Sequence, residues 1–139
     1  MSFHTLIVVG RLGRDPEMRF TPNGQAVTKL RVASSRKYTD SNGQKVKETI
    51  WLNVSVWGKQ GESCNTYLKK GSMVLIEGRL KPDRDTGNPR IWTRADGSSG
   101  ASYDVSASTV RFLSTRGTVQ DTNEVEAEKQ YAGEDDIPF

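Results

Sequence analysis

Between Val46 and Trp57 the chain alternates with a period of two. Ile50, Leu52, Val54 and Val56 occupy one side, and Trp51, Asn53, Ser55 and Trp57 the other. A period of two is the signature of a β-strand with one face in a core. The opposite face constrains the fold further, because large aromatic rings are costly to expose and tend to mark an interaction surface. Whatever this chain folds into must bury the aliphatic face and still leave a use for the tryptophans.

The rest of the first 113 residues also reads as strands. Leu6 to Val9 is apolar at every position, so such a strand needs cover on both sides, from a barrel core and from a partner subunit. Leu6, Ile7, Val8 and Val9 are therefore the predicted subunit contact. Gly10, Gly13 and Asp15-Pro16 break that strand, and Pro22-Asn23-Gly24 marks a turn. Ala26 to Ser35 reads as a second strand, with Leu30 and Val32 inward and Lys29 and Arg31 outward. Lys37 to Lys45 is a polar hairpin loop turning at Asn42-Gly43. Gly58 ends the tryptophan strand. Gln60 to Lys70 is the predicted helix, with Cys64, Tyr67 and Leu68 on one stripe and Gly71 as its C-cap. Met73 to Leu80 is a further strand with Val74, Ile76 and Leu80 on one face. Pro82 to Gly100 reads as an extended hairpin arm around Arg90 to Arg94, and Tyr103 to Leu113 closes the domain. Several short strands with one helix before the fourth predict an all-β domain, a small closed barrel without exposed edges.

Charge divides the chain. Met1 to Thr115 carry 18 basic and 10 acidic residues, a net +8, whereas Arg116 to Phe139 carry two basic and seven acidic, a net −5. A basic body suits a polyanion, and an acidic tail suits a separate interaction segment. Thr115 to Glu134 lacks the apolar residues to offset its conformational entropy, which predicts a disordered linker over 115–134 beyond a domain at 1–114. At 135–139, Asp135 and Asp136 precede Ile137, Pro138 and Phe139. The apolar pair can anchor in a pocket on a partner while the acids meet a basic rim, so this tip is the predicted protein-docking segment.

No catalytic constellation is visible. His4 is the only histidine and Cys64 the only cysteine, which rules out an internal disulfide and multi-histidine metal sites; no metal or cofactor is expected. The amino-terminal residues lack the basic and apolar regions of a secretory signal, and no apolar run is long enough to cross a bilayer. A cytoplasmic, nucleoid-associated protein is the expectation.

Cations interleave with aromatics at the loops. Arg36, Lys37, Lys45 and Lys47 flank the first hairpin with Tyr38, and Arg84, Arg90 and Arg94 flank the second arm with Trp92. Together with Lys29 and Arg31 they form the predicted phosphate-contacting set. Rings that stack bases are sequence-tolerant, because every base has a π-face, and are worth about 1–3 kcal/mol per base. Trp51 and Trp57 could equally pack under a loop or in a dimer interface.

In its motifs the chain resembles the bacterial single-stranded DNA-binding protein family. The likeness is carried by Val9-Gly10-Arg11-Leu12-Gly13-Arg14-Asp15-Pro16-Glu17, Pro22-Asn23-Gly24, Trp51-Leu52-Asn53-Val54 and Trp57-Gly58-Lys59. Tyr67-Leu68-Lys69-Lys70-Gly71, Ile76-Glu77-Gly78-Arg79-Leu80 and the terminal Asp135 to Phe139 complete it. The resemblance implies an OB fold, a five-stranded Greek-key barrel, assembled as a homotetramer that wraps single-stranded DNA. It places the stacking aromatics at Tyr38, Trp51, Trp57 and Trp92. It also implies a non-catalytic role in DNA replication, recombination and repair, with partner proteins recruited by the tip. The linker is shorter and more acidic than in many members, and the 82–100 arm is longer. A protein-docking scaffold and an RNA-binding OB protein are the alternatives on residues alone.

Overall fold

The structure is a computed structural model and describes residues 1–113. Seven strands and one helix follow in order: β1 (Leu6–Leu12), β2 (Glu17–Phe20), β3 (Ala26–Thr39), β4 (Lys45–Trp57), α1 (Gly58–Tyr67), β5 (Met73–Leu80), β6 (Arg90–Thr93) and β7 (Ser99–Phe112). The linker and the docking tip lie outside the described residues.

Five strands close on themselves. β1 pairs with both β3 and β5, β3 with β4, β4 in parallel with β7, and β7 with β5. With α1 between the third and fourth barrel strands this is the OB fold, the closed barrel anticipated from the strand pattern. β2 adds to the outer edge of β3, and β6 pairs only with the start of β7.

The core is aliphatic and continuous. Leu12, Leu30, Val32, Leu52, Val54, Val56, Val74, Ile76 and Val105 meet inside the barrel, and Cys64 and Leu68 plug one end. The helix sits so close that a Cβ on Gly61 would come within 2.3 Å of the Val56 carbonyl oxygen. The Thr28 hydroxyl donates to the Gly61 carbonyl at 2.6 Å and fixes that approach. Gln60 clasps the flank of β7: its amide nitrogen donates to the Ser108 carbonyl, and its carbonyl oxygen accepts the Val110 amide at 2.8 Å. These bonds occupy backbone groups of β7 beyond its parallel pairing with β4.

Several details differ from the sequence reading. Gly58, with φ of +67°, opens the helix rather than merely ending the strand, and α1 stops at Tyr67. The helix is capped at Leu68, whose amide reaches Cys64, so Gly71 lies in the following turn and donates to Leu12 instead. Tyr67 is exposed and tilts against Phe112. Ile50 and Leu80 leave the core at the barrel's ends and are exposed. The predicted contact strand divides by alternation: Leu6 and Val8 pack on the core, while Ile7 and Val9 are exposed. Only these last two present apolar surface outward.

Both hairpins continue past the barrel as arms. The residues read as a polar loop from Lys37 onward stay paired out to Thr39 opposite Lys45. Asp40 closes the tip by accepting the amides of Asn42 and Gln44, with Gly43 at φ +80°. The second arm is β6 against Ser99–Ser102, its tip at Gly97 closed by the Asp96 carboxylate. His4 serves structure, its Nε2 accepting the Leu80 amide.

Candidate nucleic-acid interface

The outward face of β4 is extended across the sheet by strand pairing. Ala33 lies opposite Trp51, Arg31 opposite Asn53, Lys29 opposite Ser55, and Val27 opposite Trp57. Parallel pairing with β7 brings Asp104 beside Asn53. Trp51 stands where the barrel gives way to the arm, since Leu52 is the first buried residue of β4. The second arm folds toward it and delivers Trp92.

The two rings line one open groove of about 1150 Å³, together with Arg14, Arg31, Arg90 and Tyr103. Trp51 and Trp92 are 41% and 38% exposed, so much of each ring is accessible to a ligand. Each ring has guanidinium company. Arg31 lies 5.2 Å from the Trp51 centroid, and Arg90 and Arg94 lie 5.9 and 5.8 Å from that of Trp92. Each ring also rests against a glycine. A Cβ on Gly13 would meet Trp51 at 2.5 Å, and one on Gly100 would meet Trp92 at 2.7 Å.

Hydrogen bonds join the cations. Arg31 donates to Asn53 Oδ1 at 2.6 Å, and Asn53 Nδ2 donates to Asp104 Oδ1 at 3.3 Å. Ser102 donates to the same oxygen at 2.9 Å, and Arg90 Nε donates to Asp104 Oδ2 at 2.9 Å. Burial works against the Asp104 charge, but the bonds from Ser102 and Asn53 and the Arg90 charge outweigh it and hold the carboxyl below its ordinary value. Lys29 is shifted down, first by burial and then by the positive field of Lys81, with Asp104 opposing and Arg90 and Arg19 adding smaller pushes. An ammonium pressed by neighbouring cations marks a region whose positive potential an incoming anion relieves.

This geometry pairs stackable rings with cations on a barrel surface, and known proteins of the same build resolve what kind of chain it is. Residues 3–113 match the single-strand binding protein family. The chain belongs to that family. It is 40% identical over 116 residues to the single-stranded DNA-binding protein of Neisseria meningitidis, covering 84% of this chain and 63% of that one. It is 33% identical over 129 residues to the Wolinella succinogenes protein of the same name, covering 93% of this chain and 75% of that one. A crystal structure of a deletion mutant of the single-stranded DNA binding protein from Thermus aquaticus superposes with a TM-score of 0.61 at 29% identity. That match covers 81% of this chain and 51% of the other. The chain thus spans under two thirds of the Neisseria protein it matches.

Within this member of the family the predicted site residues fall into three groups, with Arg84 apart from them. Trp51, Trp92, Arg31 and Arg90 meet in the groove, and Arg94 tops Trp92 while donating to the Ser99 carbonyl. Trp57 shares the Trp51 face but stands six residues along β4, about 20 Å away, with Lys29 between them. Tyr38, Arg36, Lys37, Lys45 and Lys47 lie on the first arm, where Arg36 covers Tyr38 at 4.7 Å and pairs with Glu48 at 3.1 Å. Arg84 lies in the loop leading to the second arm, outside the groove lining. Alternation places Tyr38 and Arg36 on the arm face of Glu48 and Ile50, and Trp51 on that of Ser35 and Thr49. Sequence reasoning missed Arg14, Tyr103 and Asp104. Arg14 follows Gly13 directly, which could have suggested it once Trp51 was placed; Asp104 carries no local signal.

Proposed function

We propose that the chain binds single-stranded DNA without sequence preference and without catalysis. The observation that carries this reading is the groove in which Trp51 and Trp92 stand partly exposed beside Arg31, Arg90 and Arg94. Rings take bases and guanidinium groups meet phosphates, the combination used by sequence-tolerant single-strand binders. Trp57 with Lys29 extends the same surface along β4, and Lys37, Lys45 and Lys47 continue it up the first arm, while Tyr38 with Arg36 offers a further ring on the other face of that arm. Protection of single strands during DNA replication, recombination and repair follows from such binding, and it places the protein in the cytoplasm on the nucleoid. Among the described residues no helix is long and apolar enough to cross a membrane.

Two further elements belong to the reading. Exposed Ile7 and Val9 on β1, beside Leu75 on β5, form an apolar strip that a second copy would cover, on the way to a homotetramer. The domain at 1–114 would then be followed by a linker and by the docking tip Asp135–Phe139, which recruits replication, recombination and repair proteins. Deleting the tip should abolish capture of such partners and leave DNA affinity intact, and sedimentation at micromolar concentration should give four copies.

Titration of intrinsic tryptophan fluorescence with oligo-dT tests the central claim. Binding should quench emission, and raising salt should weaken it with a slope near −0.7 per phosphate contacted. An excess of matched oligo-rU that competes equally would move the reading to RNA. Absence of both quenching and binding would refute it.

A further inference from the structure

An acid directly behind a groove that binds a polyanion is an electrostatic handicap, and Asp104, bonded to the lining residues Asn53, Ser102 and Arg90, is such an acid, its side chain 17% exposed. Its bonding shows what offsets the handicap. One carboxylate oxygen takes Arg90, the cation beside Trp92. The other takes Asn53 and Ser102, and the far end of the Asn53 amide takes Arg31, the cation beside Trp51. The amide can stand only one way round, since its oxygen must accept from Arg31 while its nitrogen donates to Asp104. A single carboxylate therefore tethers, directly or through one amide, a guanidinium at each of the two stacking rings.

We infer that Asp104 is a positioning residue that acts through Arg31 and Arg90, holding both at the tryptophan rings so that Trp51 and Trp92 form one preset stacking surface. This rests on the single-strand binding reading and deepens it. A long cationic side chain free to sample rotamers must be ordered when ligand binds, whereas a tethered one has lost that freedom on folding. Asn53 carries the tether to Arg31 alone, and Asp104 carries both.

Asp104→Asn in the full chain separates this from a purely electrostatic role. If the carboxylate only repels phosphates, its removal tightens oligo-dT binding, most of all at low salt. Loss of two ordered arginines instead weakens binding about tenfold, and the weakening persists at high salt, where long-range charge effects fade. In an Arg31→Met/Arg90→Met background the same substitution should change nothing further; a persisting effect would mean that Asp104 acts through β7 and overturn the proposal. Should Asp104→Asn not fold, Asn53→Ala provides the second arm, with a smaller loss confined to quenching of Trp51. The free protein gives a readout independent of DNA. A slowly exchanging Arg90 Nε–H resonance should be present in the native chain and lost in Asp104→Asn. Its absence from the native chain refutes the tether, whereas its presence without DNA binding refutes only the binding reading.

Discussion

Replacing Gly13 by alanine adds one methyl group at the root of the groove, and its consequence follows from the contacts. The new Cβ would stand 2.5 Å from Trp51 Cζ3 and 2.8 Å from Cη2, where carbon atoms prefer about 3.5–4.0 Å. One partner must move by roughly 1 Å. Gly13 is held, because its amide donates to the Arg31 carbonyl at 2.8 Å across the β1–β3 junction. Trp51 is 41% exposed and has solvent to swing into, so the ring moves and the backbone stays. The loss of fold stability should then fall at the low end of the range for overpacking, about 1 kcal/mol. The loss in binding should be that of a misplaced stacking partner, about 1–3 kcal/mol or some 5- to 150-fold in affinity for oligo-dT. Fluorescence titration of Gly13→Ala, Trp51→Ala and the double variant measures it. If glycine acts by seating the ring, the double variant binds like Trp51→Ala alone, since a displaced ring and an absent one cannot both be lost. Additive losses, or a Gly13→Ala protein of native affinity, would refute the seat.

Two other outcomes can be stated from the structure. Because Trp57 stands about 20 Å from Trp51 along β4, Trp57→Ala should weaken long oligo-dT by about 1–3 kcal/mol yet leave a short oligomer confined to the Trp51–Trp92 groove unaffected; equal losses for both lengths would contradict that layout. Burial pushes the Cys64 thiol from 9.0 up to about 11, so the folded state favours the protonated form. Its contribution to stability is complete below pH 9 and is lost as pH rises toward 11, and urea melts should show a steeper fall in that window than Cys64→Ala does.

The strand pattern was legible wherever one face meets the core. Leu52, Val54 and Val56 alternate with Trp51, Asn53 and Trp57 in the barrel, interrupted only at Ser55, which is buried on the outer face beside Lys29. It fails where neither face is buried. Lys37 to Thr39 is paired to Lys47 through Lys45, yet neither face is buried and most of its residues are polar, so the residues read as loop. Ile50 and Leu80 continue an apolar face by period but lie past the ends of the barrel, which no local pattern marks. β2 was unreadable because Glu17 to Phe20 is a short edge strand with only Met18 partly buried. The tryptophans and cations of the site could be found from composition and spacing. Asp104 could not, because a lone acid on a polar strand reads as solvated; its meaning comes from the parallel β4–β7 pairing that sets it beside Asn53.

That contrast bears on how the surface is built. A two-stranded ribbon without a covered face is marginal by itself, so the first arm takes its order from the barrel out of which it grows. Trp51 stands at that root, one residue before the buried Leu52, with Gly13 beneath it and Arg31 beside it. Tyr38 lies far out, near the Asp40 turn, with Arg36 as its cation neighbour. A base stacking on Trp51 meets a ring already seated against Gly13 and Arg31 on an ordered barrel strand, whereas one stacking on Tyr38 must also order the arm, at about 0.5–1.5 kcal/mol for each side chain immobilised. Affinity should therefore concentrate at the barrel and adaptability at the arm. Replacing Tyr38 by alanine should cost less than replacing Trp51, and the difference should shrink if a disulfide across the Thr39–Lys45 pair stiffens the arm.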